Sequence, residues 1–131
     1  MIIKLNTTSE TPIYVQLRNQ IVLGIGRGEL RIGDGLPTIR QLAEDIGVNT
    51  MTVNKAYSIL KNEGFIEIDR RHGAKISPKT AFTNEFREKI ESELLLLMSE
   101  STIRGMTREN FLEMCDNIFD NIKLTHAGGT A

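Results

Sequence analysis

The chain holds a single cysteine, Cys115, among its 131 residues. One thiol cannot build a disulfide framework, and no grouping of thiols and histidines has the spacing of metal ligands. Long apolar runs are missing too. The longest, Leu94 to Met98, falls far short of the ~20 residues that cross a bilayer. Met1 to Asn6 lack the charged start, long apolar stretch and small-residue cleavage site of a secretory signal. With two histidines and no nucleophile–base pair or phosphate loop of recognisable signature, neither enzymatic chemistry nor a cofactor is expected. A reduced, cytoplasmic setting is. The length and the 40% hydrophobic content suit one compact domain plus an appendage, and are too small for two full-sized domains.

The net charge of −1 hides an asymmetry. Residues 1–79 carry 11 Lys and Arg against 8 Asp and Glu, a balance of +3, and residues 80–131 carry 5 against 9, a balance of −4. A polyanion would be drawn to the first part, while the second is expected to be solvated or self-associating.

Pro12 stands where a helix would begin, with Thr11 as its cap. Ile13, Leu17, Ile21 and Ile25, widened by Tyr14 and Val22, form one apolar face over about 11–27. Glycines then lead into a loop from Glu29 to Pro37. Thr38 can cap a second helix, with Gln41 reaching back in a capping box, and Ile39, Leu42, Ala43 and Ile46 facing inward until Gly47 stops it. Asn49 caps a third helix whose stripe is Val53, Ala56, Tyr57 and Leu60, ending at Gly64. Two short helices joined by Gly47-Val48-Asn49 outline a helix-turn-helix at about 38–57. The alternation in Phe65–Ile68 and Ala74–Ser77, around Asp69-Arg70-Arg71-His72-Gly73, reads as a two-stranded ribbon with a basic tip, a wing at about 65–77.

Pro78 marks a boundary. Phe86, Ile90, Leu94 and Leu97 keep helical spacing over about 84–101. Gly105 breaks that helix, and Thr107 caps a last one carrying Phe111, Met114, Cys115, Ile118 and Ile122. The fold class is therefore mainly α with a small β-hairpin, a winged helix-turn-helix over 11–78 followed by a two-helix region over 79–125. Residues 126–131 are expected to be a frayed, disordered end.

No residue between Asp45 and Glu63 is acidic, and that span holds the exposed positions Thr50, Met51, Asn54, Lys55 and Lys61 of the third helix. A helix entering the major groove needs this, because acids are repelled by phosphates while Asn can pair with adenine and a methyl or hydroxyl with thymine. An ordinary polar surface helix would look similar. Arg70, Arg71, His72 and Gly73 would let a thin, positive turn approach a narrow groove, though basic residues also occupy plain hairpin turns. Arg40 could reach a phosphate or a guanine edge, or instead pair with Glu44 one turn on. Cys115 on a packed stripe with Met114 and Ile118 reads as a small apolar residue before it reads as a redox sensor.

The segments Pro12-Ile13-Tyr14-Val15-Gln16-Leu17, Leu36-Pro37-Thr38-Ile39-Arg40-Gln41-Leu42-Ala43 and Gly47-Val48-Asn49 resemble the GntR family of bacterial transcription regulators. Thr52-Val53, Ala56-Tyr57, Leu60 and Glu63-Gly64 extend the match, which spans about residues 11–77. The Asn49 turn and the short helical tail resemble its YtrA-like branch. That resemblance implies a winged helix-turn-helix that binds double-stranded operator DNA as a homodimer, often to control transporter operons. It implies that Thr38, Arg40, Asn49, Thr50, Met51, Thr52, Asn54 and Lys55 face DNA, with Arg71, His72 and Gly73 at the minor groove. Two departures stand out. Thr50 sits where many relatives carry an arginine, which removes a guanine-reading fork and suggests a different operator. Arg71 stands in place of the first of two wing glycines.

Neither tail helix could bury its apolar face alone, but a second copy would bury Phe86, Ile90, Leu94, Leu97, Phe111, Ile118 and Ile122. The alternative is a tail folded back on its own winged domain. Larger relatives carry an effector domain here. This chain leaves too little for a dedicated pocket, so a small-molecule effector would sit at the dimer seam. The competing functional reading is a winged module that docks a protein and never touches DNA.

Overall fold

The computed structural model describes residues 3–127. Helices α1 (Ile13–Gly26), α2 (Ile39–Ile46) and α3 (Thr50–Asn62) precede a hairpin of β1 (Ile66–Asp69) and β2 (Gly73–Ile76), and helices α4 (Asn84–Ile103) and α5 (Arg108–Asp120) follow. The chain divides into two units, Met1–Thr80 with Lys123–Ala131, and Ala81–Ile122.

In the first unit α1 and α2 both pack on α3. Leu17, Ile21 and Ile25 from α1, Leu42 and Ala43 from α2, and Val53, Ala56, Tyr57 and Leu60 from α3 are buried together with Ile66, Ala74 and Ile76 of the hairpin. These are the inward positions that 3.6-residue periodicity selects on three amphipathic helices. Arg18 adds a two-pronged hydrogen-bonded ion pair to Glu63 at 2.9 Å per contact, which fixes the end of α3 against α1.

The helix ends differ in detail from the sequence expectation. Pro12 itself occupies the N-cap of α1, and no side chain caps it. Thr11 instead offers its carbonyl to the Gln16 side chain. Thr38 caps α2 by accepting from the Gln41 N–H at 3.0 Å. The reciprocal half of the capping box is not made, because the Gln41 amide donates forward to Asp45 at 2.8 Å, the i,i+4 neighbour on its own helix face. Gly47 ends α2 at φ 70°, a left-handed position in which a Cβ is strained, and this turns the chain straight into α3.

The hairpin is antiparallel with Ile66 opposite Ile76 and Asp69 opposite Gly73. The segment expected to be a loop between Glu29 and Pro37 also pairs. Gly33 N–H donates to the Ile76 carbonyl, Ile76 N–H to Asp34, and Leu36 N–H to Ala74, so this stretch lies along the free edge of β2. Gly33 and Gly35 conceal this pairing in the sequence, because they read as loop residues.

The expected frayed end needs correction where it is described. His126 bridges Ile32 in parallel, so residues 123–127 belong to the winged unit; residues 128–131 lie outside the described range.

In the second unit Thr83 caps α4 and Thr107 caps α5. Ile122, expected on the last helix, lies just past its C-cap Asn121. Neither helix holds a buried residue. Leu94, Leu97, Phe86 and Ile118 are exposed, and so are Leu95 and Leu96, while Ile90 and Phe111 are half-buried.

Candidate nucleic-acid interface

The third helix presents two unlike faces. Its inner face is wholly apolar, with Val53, Ala56 and Leu60 at 0% exposure. On its outer face Thr50, Met51, Asn54, Lys55 and Ser58 are exposed. The helix is about 20 Å long at 1.5 Å per residue, and a helix of this bulk fits the ≈12 Å major groove. Met51 is 75% exposed, a large apolar side chain held in water beside two hydroxyl-bearing neighbours, which suits a contact to a thymine methyl group.

Several residues expected at DNA have structural duties first. Asn49 is exposed, but its side-chain carbonyl accepts the Met51 N–H at 2.7 Å as the cap of α3. Thr38 is likewise the cap of α2. Thr52 is half-buried, between the two faces. Arg40 pairs only loosely with Glu44, its Nε 3.8 Å from the carboxylate, and an exposed pair this long contributes little, so a phosphate can compete for the guanidinium.

Lys55 has a seat that periodicity could not reveal. Its ammonium lies 3.9 Å from the ring centroid of Tyr14 on α1, a cation–π contact that restrains a side chain otherwise rich in rotamers. In the sequence Tyr14 reads only as part of an apolar stripe. Tyr57 anchors the same helix from inside: its hydroxyl donates to the Pro37 carbonyl at 2.7 Å, just ahead of the α2 cap. Burial pushes that hydroxyl's pKa up, so the donor keeps its proton.

The wing tip accommodates Arg71 without a left-handed backbone at that position. Asp69 accepts the Arg71 N–H at 2.7 Å and lies 3.1 Å from His72 Nδ1. This aspartate-closed turn leaves only Gly73 with positive φ at the tip, and no non-glycine residue described adopts it. The Arg71 N–H and then His72 hold the Asp69 carboxyl below the usual carboxylate range. At the hairpin's other end Glu67 is lowered chiefly by its hydrogen bond from Lys79. Arg70, Arg71 and His72 are exposed.

The structure therefore brings Thr50, Met51, Asn54 and Lys55 onto one face of a single helix, and leaves Arg71, His72 and Gly73 together at the tip of a separate hairpin in the same unit. Among the described residues no cluster of His, Cys, Asp or Glu could hold a metal ion, and no helix is long and apolar enough to cross a membrane.

Comparison with known proteins gives the same picture. The family profile described as bacterial regulatory proteins of the gntR family matches residues 11–76. The Bacillus subtilis transcriptional repressor YtrA, of helix-turn-helix type, is 34% identical over 123 residues, 92% of this chain and 95% of its own. A solved Listeria monocytogenes protein described as a transcriptional antiterminator superimposes with a TM-score of 0.82 at 26% identity, covering 98% of both chains. The GntR-family transcription factor YtrA from Sulfolobus acidocaldarius is 43% identical with a TM-score of 0.62, over 72% of this chain and 99% of its own. The chain belongs to the GntR family of bacterial transcription regulators, as a YtrA-like, DNA-binding member of helix-turn-helix type.

Proposed function

We propose that this regulator is a repressor that binds a palindromic operator as a homodimer and controls a transporter-type operon. The observation that carries operator reading is the outer face of α3: exposed, free of acids, with Asn54 and Met51 at spacings suited to base edges and Lys55 held by Tyr14. Asn54 pairs with adenine, Met51 and Thr50 meet thymine methyls or phosphates, and Lys55 and Arg40 bind the backbone. The wing tip lays Arg71 and His72 against a minor groove, which Gly73 lets it approach.

Two copies joined through α4 and α5 present two such helices related by a two-fold axis. Half-sites then lie about 34 Å apart, one duplex turn, or a multiple of it. The uncovered apolar residues of the second unit support this pairing: Phe86, Leu94, Leu97 and Ile118 on helices with no buried residue of their own, and Ile122 just past the end of α5. An effector, where one acts, would bind at the seam between copies.

Binding to duplex DNA from upstream of the protein's own gene, measured against salt, tests the reading. Affinity should fall steeply with salt and exceed that for a scrambled duplex. Lys55→Ala should flatten the slope of log K against log salt by about 0.9 and weaken all sequences alike. Equal affinity for the two duplexes would refute operator recognition and leave the protein-docking alternative.

A further inference from the structure

We infer that residues 123–127 are positioning residues for the wing, a strand that fastens the hairpin's supporting segment from its far side. The inference rests on the minor-groove reading of the wing given above only where it concerns DNA.

Four contacts carry it. Ile32 N–H donates to the Thr125 carbonyl at 2.7 Å and Ala127 N–H returns a bond to the Ile32 carbonyl at 2.8 Å, the two rungs of a parallel bridge. Lys123 N–H donates to Gly26 at 2.6 Å, and the Thr125 hydroxyl donates to the Gly28 carbonyl at 3.1 Å. The approach is close: Gly28 has φ 78°, and a Cβ there would collide with the Lys123 carbonyl oxygen. A glycine is required on both counts.

The chain turns at Gly33, where φ is 97°, so successive amides face different partners. Ile32 N–H faces the tail while Gly33 N–H faces the Ile76 carbonyl on β2. The segment 32–36 is thus clasped between β2 on one side and residues 125–127 on the other. Ile76 in turn donates to Asp34, and Leu36 to Ala74, so among the described residues the backbone bonds that hold β2 from outside the hairpin come from residues 33–36, next to the Ile32 that the tail pairs with. Only Asn121 and Ile122 separate residue 123 from the end of α5. Without the tail, 32–36 becomes an open edge strand and frays.

Ala127→Pro, which removes one bridge donor, and a truncation after Ile122 test this, together with amide hydrogen exchange and operator affinity. The Gly33, Leu36 and Ile76 amides should exchange roughly five- to tenfold faster, the loss of about one net hydrogen bond, while those of Val53 to Leu60 keep their rate. Thr125→Val should move the same amides in the same direction by less. Arg71→Ala should weaken operator binding in the complete chain and cost little more once the tail is gone. Unchanged exchange at Gly33, Leu36 and Ile76 would overturn the inference. So would faster exchange accompanied by an undiminished cost of Arg71→Ala in the truncated chain. If Arg71→Ala costs nothing in the complete chain, the minor-groove reading fails, and the exchange rates alone decide whether the tail holds the wing.

Discussion

Replacing Leu94 and Leu97 together by aspartate should convert the protein from twice 14.7 kDa to the mass of one chain, and should lower affinity for a full palindrome by 10²–10⁴-fold. The physical basis is that α4 and α5 have no interior of their own. Leu94 and Leu97 are 40% and 54% exposed in the single chain. Fully burying a leucine against a partner contributes roughly 1.5–3 kcal/mol, and two-fold symmetry counts each contact twice. Aspartate at both positions removes that term and demands burial of carboxylates without partners, which a dimer seam cannot tolerate. The winged unit is untouched, since its core draws nothing from α4, so an isolated half-site should be bound as before. The palindrome loses the second, intramolecular binding event and with it the avidity. Light scattering and a titration on full and half operators check both arms. A variant that stays at twice the mass, or one that becomes monomeric with unchanged affinity for the palindrome, would contradict the dimer reading.

Tyr57→Ala should cost about 3–5 kcal/mol of stability, the range for deleting a fully buried aromatic ring. Tyr57 is 2% exposed at the centre of the core that α1, α2 and α3 share, and its hydroxyl ties α3 to Pro37 ahead of α2. Loss of the ring leaves a cavity under the outer face that presents Asn54, and at about 4–8 °C per kcal/mol for a domain of this size the melting point should drop by tens of degrees. Tyr57→Phe separates the two contributions. It keeps the packing and removes only the hydrogen bond, for about 1 kcal/mol. Thermal melts of the two variants give the check; a Tyr57→Ala chain melting within a few degrees of the parent would mean that α3 is held from elsewhere.

Much of this was legible in the order of residues. The stripe Leu17, Ile21, Ile25 and the stripe Val53, Ala56, Tyr57, Leu60 are periodic enough to specify α1 and α3 and the side on which each buries. Thr38, Asn49 and Thr107 are caps by chemistry alone. What stayed hidden depends on partners distant along the chain. Gln41 had two partners within reach, the Thr38 N–H as a donor and the Asp45 carboxylate as an acceptor, and only the helix geometry shows that Asp45 wins. Lys55 meets Tyr14 because α1 packs on α3, a contact between residues 41 positions apart in sequence. The strand-like role of 32–36 was masked by Gly33 and Gly35, which read as loop. Residues 123–127 carry no periodicity at all, since a single parallel bridge needs backbone atoms and no side-chain pattern.

The central claim is that the acid-free face of α3 reads base pairs in duplex DNA, twice per dimer. Selection from a randomised duplex pool, run with the parent chain and with Asn54→Ala, tests it most directly. The parent should enrich an inverted repeat whose half-sites are one or a whole number of duplex turns apart, and Asn54→Ala should lose discrimination at the same one or two base pairs in each half. An identical preference profile from both chains, or no enriched sequence from the parent, would contradict it.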